Sequence, residues 1–198
     1  MFIVIEGIDG AGCETQAKNL QKYLKNDNIP YSFIKYPDYT KNVGKFIKEF
    51  LYNNKNLTVQ EQFLLYSLQF LMDKKIIAEK KKEEVVIADR YFSTTLCYQT
   101  LQGIDLTKAV DFAENFGIEK PDLVFYLDVN PNTAIKRKAG ENKQKNRTEK
   151  DFDLINKTYK QYKVLVDQQI WTKWIRIDGN RGIDEITKVI FDTIIKLI

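Results

Sequence analysis

The sequence predicts an α/β fold, a parallel sheet of about five strands with helices on both faces. Three observations carry this. Short continuous apolar runs recur along the chain, helical spacing follows the first run after a glycine-rich turn, and no stretch of linker composition interrupts the alternation. Continuous apolar runs suit strands buried on both faces, and their alternation with helices gives a doubly wound sheet. At 198 residues, one domain spanning 1–198 is expected.

Phe2-Ile3-Val4-Ile5 is the first strand, running into Glu6-Gly7. From Glu14, Ala17, Leu20, Tyr23 and Leu24 repeat at helical spacing and stop at the turn formers Asn26-Asp27-Asn28. Tyr31 to Tyr36 reads as the second strand, closed by Pro37, and Val43 to Leu51 as an amphipathic helix. A longer helix begins near Thr58 and runs to about Lys82, carrying Phe63, Leu64, Leu65, Tyr66, Leu68, Phe70, Leu71 and Met72. It is apolar around most of its circumference, so burial on more than one side is expected, either within one subunit or against a partner as well. Val85 to Ala88 and Leu123 to Leu127 are further buried strands, each running into an aspartate. Ala139 to Lys150 is polar and basic and reads as a loop flanked by helices. Trp174 to Ile177 is the last strand and Ile183 to Ile198 the closing helix.

Composition removes several function classes. Lys plus Arg number 31 against 27 Asp plus Glu, and basic runs are broken by acids, as in Lys80-Lys81-Lys82-Glu83-Glu84. A net charge of +4 spread in this way is a solvated surface rather than a nucleic-acid footprint. Cys13 and Cys97 make neither a disulfide framework nor metal-ligand spacing, which implies a reducing compartment. With no histidine, an imidazole triad and a His-ligated metal are excluded, and acid–base chemistry falls to carboxylates and lysines. The apolar run Met1 to Ile5 is too short for a signal peptide and no 18-residue apolar stretch occurs, so a soluble cytoplasmic protein with no membrane contact is expected.

Gly7-Ile8-Asp9-Gly10-Ala11-Gly12-Cys13-Glu14 lies between the first strand and the first helix in the frame G-x-x-x-x-G. In that position successive backbone N–H groups converge on phosphate oxygens and the helix N-terminus adds partial positive charge. This makes the expected architecture the three-layer P-loop NTPase fold. A phosphate-binding loop normally continues with Lys and then Ser or Thr, the first neutralising the transferring phosphoryl group and the second binding magnesium. Here stand Cys13 and Glu14, which shifts the local charge by about −2, away from what a triphosphate needs. Glu14 also suits the first turn of a helix, Cys13 can be a small filler, Thr15 offers a hydroxyl one residue late, and Glu14 could itself serve magnesium.

Three segments then decide the family. Val4 to Gly12, Ala88-Asp89-Arg90-Tyr91 with Ser93 and Tyr98-Gln99, and Lys120-Pro121-Asp122-Leu123-Val124 with Leu127-Asp128-Val129 resemble thymidylate kinases in order and spacing over nearly the whole chain. The Asp-Arg-Tyr segment followed by Ser and Tyr-Gln is the most specific part.

The resemblance implies transfer of a phosphoryl group from ATP to dTMP with Mg2+, and a two-fold homodimer. Asp9 matches the carboxylate that faces the 3′-hydroxyl of dTMP. Asp89 and Arg90 match the pair that serves magnesium and the acceptor and donor phosphates. Tyr66 lies where the family stacks an aromatic on thymine, with core packing as the other reading, and Tyr98 with Gln99 where it closes over the nucleoside. Tyr36-Pro37-Asp38 resembles the aromatic-Pro-acid segment of the acceptor site, near which Ser93 is also placed. The sequence departs at Tyr39, where an arginine usually follows the acid, and at Phe70, which takes the dTMP-site position of an arginine that usually contacts the base. The basic segment from Arg137 to Arg147 resembles a lid, spanning about 137–150, that folds over ATP. Members with glycine at the position of Gly10 tend to supply a catalytic arginine from this lid, which makes Arg147 the candidate and Arg137 an adenine neighbour. Lys143 or Lys145 could replace the missing loop lysine. A nucleotide-binding protein without catalysis, or a kinase for another monophosphate, are the competing readings.

Overall fold

The computed structural model describes residues 1–53, 55–140 and 151–198. Its elements run β1 (Phe2–Glu6), α1 (Cys13–Asn26), β2 (Tyr31–Lys35), α2 (Asn42–Tyr52), α3 (Val59–Lys80), β3 (Val85–Asp89), α4 (Phe92–Leu101), α5 (Leu106–Phe116), β4 (Leu123–Asp128), α6 (Pro131–Ala139), α7 (Phe152–Asp167), β5 (Trp174–Asp178) and α8 (Ile183–Ile195). The five strands are parallel and lie in the order β2-β3-β1-β4-β5. β1 and β3 are buried at every residue and β4 at all but Asp128, which requires cover on both faces. Helix α1 packs on β1, β2 and β3 and against α8, while α4 packs against both α3 and α7. This is the three-layer α/β architecture that the apolar runs predict.

Every strand ends on a charged residue: Glu6, Lys35, Asp89, Asp128 and Asp178. The parallel register aligns these ends at one edge of the sheet, with Lys35 opposite Asp89 and Asp128 opposite Asp178. The strands therefore deliver a row of charges to the edge where ligands of such sheets bind.

Two helices that the sequence reading leaves out, α4 and α5, follow the Asp89-Arg90 turn. α4 carries few periodic apolar positions, and the protein buries Phe92, Leu96 and Cys97 together with polar Ser93, Thr95 and Gln99. Tertiary burial, rather than an amphipathic pattern, holds it. Helix α3 begins one residue later than expected because Thr58 is its N-cap. The Thr58 side chain accepts from the Glu61 amide, and the Glu61 carboxylate accepts from the Thr58 amide at 2.6 Å. Its inner face buries Phe63, Ser67, Phe70, Asp73 and Ile77, whereas Leu64, Leu68, Met72 and Ile76 form an exposed stripe at i, i+4 spacing. Burial of α3 on all sides does not occur within one chain. Among the described residues no helix is long and apolar enough to cross a membrane.

Candidate active site

The loop from Gly7 to Gly12 joins the C-terminal end of β1 to α1. Gly10 takes φ +88°, and a Cβ there would stand 2.2 Å from the Ala134 carbonyl oxygen of α6. Only glycine permits both the left-handed backbone and that approach. Gly12 caps α1 without a side-chain hydrogen bond, so the first-turn amides are left for another acceptor.

Arg90 follows β3 directly and holds the loop to it. Its guanidinium donates to the Gly7 carbonyl at 2.8 Å and to Asp9 Oδ1 at 2.6 Å. Behind it, Glu6 lies 3.9 Å away and is fully buried. Glu6 accepts from Ser93 Oγ at 2.6 Å, Thr94 Oγ1 at 2.8 Å, Tyr162 OH at 2.7 Å and the Tyr91 amide at 3.2 Å. Burial pushes the Glu6 pKa up, against the pull of Arg90 and of the Ser93, Tyr162 and Thr94 hydroxyls. Arg90 itself stands at φ +66°, a conformation non-glycine residues rarely adopt and one that these contacts hold in place.

The two departed loop positions have distinct environments. Cys13 is buried, and burial pushes its thiol pKa far up, so it offers neither a cation nor a thiolate. Glu14 faces β2 and carries two lysines: Lys18 Nζ donates to Oε1 at 2.7 Å and Lys35 Nζ to Oε2 at 2.8 Å. Lys35 also stands 3.5 Å from Asp89 Oδ2. Burial alone would lower the Lys35 pKa, but the hydrogen bond to Glu14 and the charge of Asp89 outweigh it and raise it. Burial raises the Asp89 pKa, while Arg90 and Lys35 pull it back.

Loop, strand ends and helices line one open cavity of about 950 Å³. Asp9, Gly10, Gly12, Cys13, Glu14, Thr15, Tyr36, Pro37, Tyr66, Asp89, Arg90, Tyr98, Gln99 and Arg137 all line it. The Tyr36–Pro37 peptide bond is cis. Tyr98 OH donates to the second oxygen of Asp9 at 3.4 Å, and Arg137 donates both terminal nitrogens to the Gly179 carbonyl at 3.1 Å.

With this geometry in place, comparison with known proteins is decisive. The family model for thymidylate kinase matches residues 5–190. The chain belongs to the thymidylate kinase family. It is 32% identical over 194 residues to the thymidylate kinase of Dictyostelium discoideum, covering 96% of this chain and 82% of that one. It is 34% identical over 198 residues to that of Fervidobacterium nodosum, with 96% of each chain covered. To that of Plasmodium falciparum it is 31% identical over 199 residues, covering 99% and 90%.

Two residues that the family resemblance places on the acceptor do not line the cavity. Phe70 is buried among Tyr36, Tyr91 and Phe92, with ring centroids 4.9, 4.8 and 6.0 Å away, so it supports Tyr36 from behind. Ser93 is fully buried and spends its hydroxyl on Glu6, while its neighbours Thr94 and Thr95 reach the cavity. Gly7 and Ala11 belong to the loop without lining the space, Gly7 acting through its carbonyl on Arg90. Arg147, Lys143 and Lys145 lie outside the described residues. Sequence reasoning missed Lys35 and Lys18 as neighbours of the altered loop. The available signal was the basic residue that ends β2 immediately before Tyr36-Pro37.

Both cysteines are buried and burial raises both thiol pKa values, so neither should react with a thiol-specific disulfide reagent near pH 8 in the folded protein. Both should react once urea unfolds the chain. Rapid native modification of a thiol at position 13 would contradict the buried, uncharged loop described above.

Proposed function

We propose that this protein is a thymidylate kinase that transfers the γ-phosphoryl group of ATP to dTMP, giving dTDP and ADP. The observation that carries this reading is one cavity shared by the glycine loop, Arg90 and the residues Tyr36, Pro37, Tyr66, Tyr98 and Gln99, in a chain of this family. An oxygen of the dTMP phosphate attacks the γ-phosphorus and the bond to the β,γ-bridging oxygen breaks, so ADP leaves with the electron pair. No covalent enzyme intermediate is required, and positioning with charge neutralisation supplies the catalysis.

In this reading the backbone from Gly7 to Thr15 cradles the donor phosphates, and Arg137, fixed by the Gly179 carbonyl, flanks the adenine. Arg90 neutralises phosphate charge between donor and acceptor. Asp9 anchors Arg90 with one oxygen and, having spare acceptor capacity, receives the 3′-hydroxyl of dTMP. Tyr66 stacks on the base, while Tyr98 and Gln99 close over the nucleoside. Arg147 is assigned the lid arginine's catalytic role on the family resemblance alone.

Mg2+ at such sites is held through one or two carboxylates plus substrate phosphates and water. Glu14 and Asp89, which flank Lys35 Nζ at 2.8 and 3.5 Å, fit that requirement. Among the described residues no group of three or more acidic, histidine or cysteine side chains offers a protein-only cage. The ion would therefore arrive with the nucleotide, and it supplies charge neutralisation at the phosphates. Two buried free cysteines accord with a cytoplasmic location.

A coupled assay of ADP release with dTMP, dUMP, UMP, CMP and AMP tests the acceptor. dTMP should give the highest kcat/KM. Turnover with UMP or CMP but not with dTMP would replace this reading with a kinase of different base preference.

The exposed stripe of Leu64, Leu68, Met72 and Ile76 along α3 is the surface we assign to a two-fold homodimer. Light scattering should give the mass of two chains at micromolar concentration. A mass of one chain, unchanged as the concentration rises, would contradict the assignment.

A further inference from the structure

The altered loop poses an electrostatic problem, because a triphosphate must be met by cations and this loop carries a buried neutral thiol and a carboxylate. The strand next to β3 answers it. Lys35 ends β2, lies opposite Asp89 in the sheet register, and extends its ammonium to Glu14 and towards Asp89. It lines the same cavity as Gly12, Cys13, Thr15 and Arg90. About half of its side chain is exposed, so the ammonium is open to a ligand entering that cavity.

We propose that Lys35 replaces the missing loop lysine as the cation that meets the donor phosphates, and that Glu14 is the tether that brings it to the loop. Cys13 and Glu14 are then one coupled change rather than two losses. The first removes the cation from the loop, and the second supplies the anion that recruits a cation from the adjacent strand. Glu14 brings its own partners: Lys18 and Lys35 both pair with it, and Lys35 also faces Asp89, so the added carboxylate is matched by lysines from α1 and β2.

Lysine suits the task. Its ammonium is a compact charge on a flexible stem, able to exchange a carboxylate for a phosphate oxygen by rotation about its own bonds. Of the two lysines on Glu14, Lys18 forms an i,i+4 pair along α1 and is the more exposed, with 63% of its side chain open to solvent against 48% for Lys35. Both pairs with Glu14 are exposed and each contributes little to stability by itself. Lys35 is the one that also reaches the Asp89 carboxylate at the sheet edge.

The inference rests on the kinase reading, and its test separates the two. Equilibrium binding of a non-hydrolysable ATP analogue and of dTMP is measured by calorimetry for the wild type, K35A, K35R and the double variant C13K/K35A, alongside steady-state ADP release. K35A should weaken analogue binding by roughly ten- to hundredfold, the scale of one charge-assisted contact, and raise KM for ATP, while dTMP binding stays within about twofold. K35R should keep most of the analogue affinity, and a lysine returned to the loop in C13K/K35A should recover part of what K35A loses. Thermal unfolding shows whether each variant is folded. Analogue binding by folded K35A equal to the wild type, or equal losses for analogue and dTMP, would overturn the proposal. A wild type that binds the analogue through Lys35 but releases no ADP with any monophosphate would leave the proposal standing and remove the kinase reading.

Discussion

The Arg90 guanidinium, donating to the Gly7 carbonyl at 2.8 Å and to Asp9 at 2.6 Å, ties the end of β3 to the loop that leaves β1. The two strands are neighbours in the sheet, and their register brings Ile5 opposite Asp89, one residue before the arginine. Loop geometry, the left-handed backbone at Arg90 and the buried Glu6 behind it are all set by that clamp. Arg90 and Asp9 are part-buried, whereas Glu6 behind them is fully buried, so loss of the guanidinium would leave a buried carboxylate without its nearest cation. The clamp also explains why a serine in the most family-specific segment does not line the cavity. Ser93, Thr94 and Tyr162 satisfy the oxygens of Glu6, and Glu6 in turn balances Arg90.

Around this fixed point, among the described residues, the positive charge of the site comes from strand ends and from α1 and α6 rather than from the loop. Arg90 is delivered by β3 and Lys35 by β2, while the loop itself offers backbone amides, a buried thiol and a carboxylate. Coulomb energy depends on separation and dielectric, not on which element carries the charge, so a lysine reaching in from β2 can serve where a loop lysine would. The exchange needs the cation to be guided, and Glu14 at 2.8 Å guides it. It also needs Asp89 to stay available to a metal. Lys35 at 3.5 Å from Asp89, longer than its bond to Glu14, is consistent with that.

The three central strands were legible in the sequence because they are short, continuous and buried. Phe2 to Ile5, Val85 to Ala88 and Leu123 to Leu127 all fall within observed strands. The loop and the Asp89-Arg90 pair were legible from spacing and from the family resemblance, and the cavity brings them together. Helix α4 was not, because its buried positions include Ser93, Thr95 and Gln99, and no apolar stripe marks it. The Glu14–Lys35 pair joins residues 21 apart across two elements, and Tyr162 meets Glu6 across 156. Such contacts are fixed by strand order and packing, which one-dimensional periodicity does not encode. Phe70 shows the same limit from the other side. Its place in the family pattern suggested the ligand, whereas the ring is committed to Tyr36 and Tyr91.

On the proposal above, strand-borne cations hold the donor phosphates in place of a loop lysine. A crystal structure of the protein with magnesium, dTMP and a non-hydrolysable ATP analogue tests it most directly. Lys35 Nζ should have turned from Glu14 to within hydrogen-bond distance of a donor phosphate oxygen, with Arg90 still on Gly7 and Asp9. Donor phosphates bound while Lys35 remains on Glu14, remote from every phosphate oxygen, would contradict it.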